Sequence, residues 1–358
     1  MKKNLQIGVL LLAGGLAVAQ EKPPAHLTHS GDEWTEDVTG TIAAARSVKI
    51  RAYAGPIRIQ GGPQKNITYT LRKHVQASSE KAARRELQRM QVLTSTEGDV
   101  AMIRGECSDA GSMELEIHVP RKTALVRLET SGGPIMASNI AGKVEAHTGG
   151  DTIQLDQIDS DVFATTGGGN IVIGKIGGEV RVETGGGDIR IDAGEAMKLT
   201  TGAGSIQVNK CNGELNASTG GGAIDLKEVT GRVKIASGGG SIKLGRAWSG
   251  VRAETGGGPI VVDLAAHGGA FTASRLETSA GDIVVYIPDD LKVTIQAGVE
   301  LARGTGISSE FPDLKIMPGN AQWRPRNVRA EGKLNGGGPL LVVHTTNGNI
   351  DFRRRAKK

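Results

Sequence analysis

The chain has 358 residues, 38% of them apolar and only 3% aromatic, with 53 glycines and a formal charge of +5. That length suits one large or two small domains, the glycine share is about double the usual one, and so few rings weigh against a sugar-stacking lectin or a single-strand nucleic-acid binder. Nor does the charge point to nucleic acid: it falls to +3 without Lys2 and Lys3, and to −2 once Arg353, Arg354, Arg355, Lys357 and Lys358 are also set aside.

The opening "MKKNLQIGVLLLAGGLAVAQ" joins two lysines to an apolar run and an Ala17-Val18-Ala19 cleavage pattern. It reads as a secretory signal over residues 1–19, with an uncleaved anchor as the alternative. The run is short and glycine-rich for a membrane span, no cysteine follows it to carry a lipid, and no later segment is long enough to cross as a helix. Residues 20–40, polar and proline-containing, are expected to be a flexible leader. Residues 41–120 follow as strands and one capping helix: "VKIRAYAGPIRIQGGPQKNITYTL" (Val48 to Leu71) alternates around glycine corners. "SSEKAARRELQRMQ" (Ser78 to Gln91) predicts a helix capped by Ser78 or Ser79, and "MELEIHVP" (Met113 to Pro120) a further strand.

Residues 121–290 carry a repeat. "VRLETSGGPIMA" starts at Val126, and related units start at Val144, Val162, Val180, Met197, Leu215, Val233 and Val251, spaced 18, 18, 18, 17, 18, 18 and 18 residues apart. Positions 1, 3, 10, 12 and often 15 of each unit are apolar, so each unit supplies two short strands with one inward face. A unit alone cannot bury that face, whereas stacked units share a core. The fold class that follows is all-β, a parallel β-solenoid (β-helix) of about 18-residue coils with one short N-terminal helix.

The glycines suit sharp corners, through positive backbone dihedrals and through close approach of stacked backbones. The threonines before them (Thr148, Thr166, Thr184, Thr201, Thr219, Thr255) suit a column exchanging hydroxyl hydrogen bonds along the rod. Cys107 and Cys211, 104 residues apart, could pair in an oxidising compartment. Cys211, however, stands where Ile140, Ile158, Ile176 and Val229 stand in other units, the place of a buried small hydrophobe. "GDIVVYIP" (Gly281 to Pro288) mirrors the strand that feeds the repeats. Residues 291–352 are expected to hold closing coils and a proline-rich loop in which Trp323 either covers the end or simply packs the loop, and residues 353–358 a basic tail.

The signal, the opening "VKIRAYAGPIRIQGG", the tandem "TGGGxI" units and the ending "LNGGGPLLVVHTTNGNI" together resemble a bacterial candidate-adhesin family of β-strand-repeat envelope proteins. The resemblance covers essentially the whole chain after the signal. It implies a β-solenoid at or near the cell envelope, in the periplasm or at the cell surface, and carries no catalytic residues or cofactor to transfer.

Chemical motifs are weak. "GNIVIGKI" (Gly169 to Ile176) has P-loop-like spacing, but Ile176 follows the lysine where magnesium needs a hydroxyl, and no helix follows. Calcium-binding nonapeptides need an aspartate in every turn, and of the eight residues at repeat position 9 only Asp188 is one. Outward pairs Arg127 with Glu129, Arg181 with Glu183 and Arg252 with Glu254 read as self-neutralising ladders, not the carboxylate cluster of a polysaccharide-cleaving β-helix enzyme. His26 and His29 lie in the leader and His147 is a single outward position, so the histidines offer no metal spacing. No catalytic, cofactor-binding or metal residue is expected. What remains is a possible contact to anionic polymer through Arg181, Lys198, Lys234 and Arg252 at position 2, together with Arg353, Arg354, Arg355, Lys357 and Lys358. The leading expectation is an exported, non-enzymatic adhesive or structural envelope component. The alternative is an envelope-stress sensor or scaffold that binds membrane or anionic polymer, and the second alternative a polysaccharide-active β-helix enzyme. The partner is envelope polymer, membrane surface or a surface protein.

Overall fold

The computed structural model describes residues 27–107, 111–265, 271–302, 304–318 and 326–355. The proposed signal, Trp323, Lys357 and Lys358 therefore lie outside the described residues. The chain is a parallel β-solenoid: two long sheets, each of sixteen strands among the described residues, face each other across one continuous core. Each repeat gives one strand to each sheet, as Val162–Thr166 and Ile171–Lys175 do. Partners stack in strict register, so that Val162, Ala164 and Thr166 lie over Val180, Val182 and Thr184. The inward columns are almost wholly Ile, Val, Leu and Ala and nearly solvent-free, the state in which each branched side chain contributes about 1.5–3 kcal/mol by burial.

Corner chemistry explains the glycines, with one correction. Among the corner glycines of the stacked coils positive φ is confined to Gly55 (φ 110°), Gly133 (φ 117°) and Gly306 (φ 73°), so left-handed backbone is not what most of them supply. Close approach is. A Cβ on Gly167 would sit 2.0 Å from the Gly149 carbonyl oxygen, and one on Gly169 2.0 Å from that of Asp151, whereas one on Gly168 would meet nothing within 4 Å. In the units that start at Val162 to Val251 the first and third corner positions are sterically closed and the middle one is open, which is why Ala203 is accommodated there in its coil, whereas the two preceding units carry Ser131 at a first and Asp151 at a third position.

The threonine column also differs from expectation. The hydroxyls do not bond one another: each donates to a corner carbonyl of the preceding coil, Thr166 to Asp151, Thr184 to Gly169, Thr201 to Gly187 and Thr219 to Gly204, all at 2.8 Å. The same hydroxyls accept the amide of their own third corner residue, as Gly187 N–H to Thr184 at 3.2 Å. Cys211 is buried and free, its Sγ 2.8 Å from the Glu195 carbonyl. Burial pushes its thiol up to about 11, so it stays protonated.

The ends depart most from the predicted boundaries. The stack does not begin at residue 121: the pair Ser47–Ala52 and Ile57–Gly62 forms a full coil beneath Leu125–Thr130 and Ile135–Ile140. The pair Val100–Glu106 and Gly111–Pro120 lies outside that coil in turn. At the other end the last coil, Leu340–Asn347 and Ile350–Arg354, is inserted between Ser274–Ala280 with Ile283–Ile287 on one side and Val293–Ala302 with Ile307–Ser309 on the other. Thirteen coils result, roughly 60 Å at one strand spacing each.

The leader expectation fails over residues 27–40. Leu27–Ser30 and Glu33–Ile42 are antiparallel strands at the N-terminal edge of one sheet. They are polar because they are edge strands with a wet face, and they are fastened by the Trp34 indole donating to the Ala77 carbonyl at 2.9 Å and by Arg72 on Asp37 at 3.0 Å. The helix is shorter than predicted, Glu80–Leu87 with Ser79 as its N-cap. Nearly buried Lys73 closes its far end, donating to the Leu87 carbonyl and to Glu36.

The basic tail is partly strand. Arg353 holds Asp351 at 3.0 Å, and Arg354 holds Asp289 at 2.7 Å and lies over the Phe311 ring. Arg355 brings Nε to 3.1 Å from Asp263 Oδ1, although that oxygen accepts no well-aligned hydrogen bond. Burial raises the Asp263 carboxyl, outweighing the opposite pull of Arg355 and Arg246.

Two outcomes test these assignments. Gly167→Ala and Gly169→Ala each lower stability in urea unfolding by about 1–3 kcal/mol, as forced overpacking does, while Gly168→Ala stays within about 0.5 kcal/mol of the parent. Because the folded Asp263 carboxyl titrates above its unfolded value, its favourable contribution is present at low pH and is lost as pH rises through the folded value. Asp263→Asn is therefore more stable than the parent at pH 7, and the gap closes below about pH 4; a less stable Asn variant at pH 7 would mean that the Arg355 pair outweighs burial.

Candidate binding face

Strand register brings the position-2 residues of the repeat into one outward column on the sheet that contains Val162–Thr166. Phe163 pairs with Arg181, Arg181 with Lys198, Lys198 with Asn216, Asn216 with Lys234, Lys234 with Arg252, and Arg252 with Arg275. All four position-2 cations picked out by sequence thus share one line, and the structure adds Arg275 and Phe163 to it. Phe163 is 41% exposed. Its position in the repeat already marked it as outward, yet an argument from average aromatic content passes over a single ring.

The cations are not equivalent. Arg181 reaches Glu179 at 3.4 Å, Arg252 reaches Glu254 at 2.6 Å and Arg275 reaches Glu277 at 2.6 Å. Lys198 and Lys234 are exposed, with no carboxylate within ion-pair distance among the described residues. Of the three pairs expected within strands, only Arg252 with Glu254 forms. Arg127 instead crosses to Glu145 of the next coil at 2.7 Å, and Glu129 is taken by Arg51 and Lys49 of the preceding one. Burial works to raise the Glu145 carboxyl, but hydrogen bonds from Lys143 and Arg127 outweigh it and the carboxyl titrates low.

The adjacent outward column runs Glu183, Thr200, Ser218, Ala236, Glu254, Glu277, His344. Beside Lys198, Asn216 and Lys234 it therefore offers hydroxyls and a methyl group, and its carboxylates resume only at either side. A shallow depression farther along is lined by Glu254, Glu277, His344 and Thr346. Both of its glutamates already hold arginines, and His344 faces Glu300 at 3.3 Å. Arg353 and Arg354 belong to the opposite sheet, where they pair with acids of their own chain. The structure does not bring them together with the Lys198 column. Among the described residues, no three His, Cys, Asp or Glu side chains converge as metal ligands would.

A search of curated proteins finds no match. Among solved structures, the chain is similar to a candidate adhesin from Parabacteroides distasonis ATCC 8503, with 13% identity over 71% of this chain and 98% of that one and a TM-score of 0.40. It is also similar to a candidate adhesin from Bacteroides fragilis NCTC 9343, with 11% identity over 89% and 97% and a TM-score of 0.30. A candidate cell adhesion protein from Clostridium sporogenes ATCC 15579 matches with 9% identity over 90% and 100% and a TM-score of 0.21. The Toastrack DUF4097 family matches over residues 45–300. That span starts at the first stacked coil, takes in every glycine-cornered repeat and ends within Val293–Ala302, and the chain belongs to the Toastrack DUF4097 family.

Proposed function

We propose that the protein is an exported, non-enzymatic, adhesin-like rod of the cell envelope that holds its ligand along the outer face of one sheet. The observation that carries this reading is the position-2 column. Strand register places Lys198, Asn216, Lys234 and their neighbours on a straight line, so a ligand that follows the rod meets one contact per coil. A contact repeated at fixed spacing gains strength by multivalency without any deep pocket. A rod whose corners are hydrogen-bonded coil to coil also holds that spacing with little ordering cost on binding.

The same geometry disfavours an electrostatic tether through the C-terminal arginines. Arg353, Arg354 and Arg355 each face a carboxylate of their own chain, so an external anion would have to displace an existing partner.

Cosedimentation of the protein with purified membranes and with purified cell-wall polymer, at low and at high salt, tests the proposal. The expected outcome is binding to the polymer that weakens as the screening length falls from about 10 Å at 0.1 M salt to about 3 Å at 1 M, with no release of reducing ends from the polymer over time. Binding to neither fraction would overturn the reading, as would polymer shortening that is lost when an outward carboxylate is replaced.

A further inference from the structure

The position-2 column has a composition that selects among anionic ligands. From Phe163 to Lys234 it presents an exposed aromatic ring, a guanidinium, an ammonium, an amide and a second ammonium. Lys198 and Lys234 lie two coils apart, about 10 Å at one strand spacing per coil. The coil between them offers Asn216 and Ser218, and Thr200 stands beside Lys198. Glu183 stands beside Arg181 and Glu254 beyond Lys234, and on the middle coil Glu214 accepts the Asn216 amide at 3.0 Å.

We infer, building on the rod-and-ligand reading above, that this window binds an acidic polysaccharide running along the rod, with a carboxylate on alternate sugars. A β-linked glycan advances by roughly one strand spacing per ring, so an acidic disaccharide spans two coils. Its carboxylates then meet Lys198 and Lys234 in charge-assisted hydrogen bonds. The intervening neutral sugar meets the Ser218 hydroxyl, which donates and accepts, and the Asn216 side-chain oxygen, which accepts from sugar hydroxyls while Nδ2 donates to Glu214. Phe163, one coil beyond Arg181, offers an apolar ring to the face of a further sugar.

A lipid surface fits less well. Phe163 is the one exposed large hydrophobic side chain on the described coils from residue 125 to residue 264, and adsorption to a bilayer calls for an apolar face or a dense basic cluster. Here the cations are interleaved with an amide and flanked by carboxylates.

The test uses the full chain and three probes: a hyaluronan octasaccharide as the β-linked alternating acid, an N-acetylchitooligosaccharide as the neutral chain, and phosphatidylglycerol vesicles. Hyaluronan is expected to bind best, in a salt-sensitive way. Lys198→Gln with Lys234→Gln weakens it about tenfold or more, as loss of two charged contacts does. Phe163→Ala weakens it several-fold, while Lys243→Gln on the opposite sheet changes nothing. Unchanged thermal midpoints certify that the variants fold, which exposed positions favour. Equal affinity of the double variant and the parent for hyaluronan would overturn the inference, as would vesicle binding that exceeds glycan binding. If the parent binds cell-wall polymer but not hyaluronan, the inference fails and the adhesin-like reading stands; if it binds neither, both fail.

Discussion

The hydrogen bond from each corner threonine to the coil before it is the contact on which the rest of the molecule depends. The hydroxyl is buried, as Thr166 and Thr184 are at 2% exposure, so leaving it unpaired would cost about 1–3 kcal/mol. Its acceptor is a corner carbonyl of the preceding coil, and its own lone pair takes up an amide of the same corner. Such a bond forms only when two corners lie almost in contact, and that proximity is what excludes a Cβ at Gly167 and Gly169. The threonine, the flanking glycines and the strict register are thus one constraint expressed three ways. Ser237 keeps it with a hydroxyl that lacks the methyl group, donating to Gly222 at 2.9 Å.

Once corners lock coil to coil, the outer face has little freedom. Side chains at one repeat position must fall in a line, so any preference at that position becomes a linear pattern on the surface. The pattern here is mixed. Arginines tend to find a glutamate two residues away on their own coil or one on a neighbouring coil, and Lys198 and Lys234 sit where the adjacent column carries Thr200 and Ala236 instead of acid. Where the charges are paired the surface is nearly neutral. Where they are not, it has a short cationic stretch bordered by hydroxyls.

How much of this could be read from the residues depends on how local each feature is. The solenoid and its inward columns follow from an 18-residue period that any window of three units displays, and Cys211 took its buried place by register alone. The order of coils at the ends did not follow, because it depends on pairing between segments far apart, such as Ser47–Ala52 lying between Val100–Glu106 and Leu125–Thr130. Strand Glu33–Ile42 escaped notice because an edge strand with one wet face carries few hydrophobic residues; its position rests on Trp34 and Asp37 finding partners at Ala77 and Arg72. Ion pairs were misplaced for a third reason. Stacking sets Glu145 directly beside Arg127 on the next coil, while Glu129 is already held by a cation of the preceding one.

The position of one coil makes the order of assembly differ from the order of the chain. Leu340–Asn347 and Ile350–Arg354 follow Val293–Ala302 and Ile307–Ser309 in the chain, yet they occupy a layer inside them, with neighbours on both sides. Val293–Ala302 and Ile307–Ser309, made earlier, cannot take their native places against the growing stack until that layer is inserted. Assembly can run coil by coil through the repeats as synthesis proceeds, but this step must wait until residues 340–354 have been made. A chain cut short before residue 340 would lack a middle course of the wall, and its outermost strands would face the wrong neighbours.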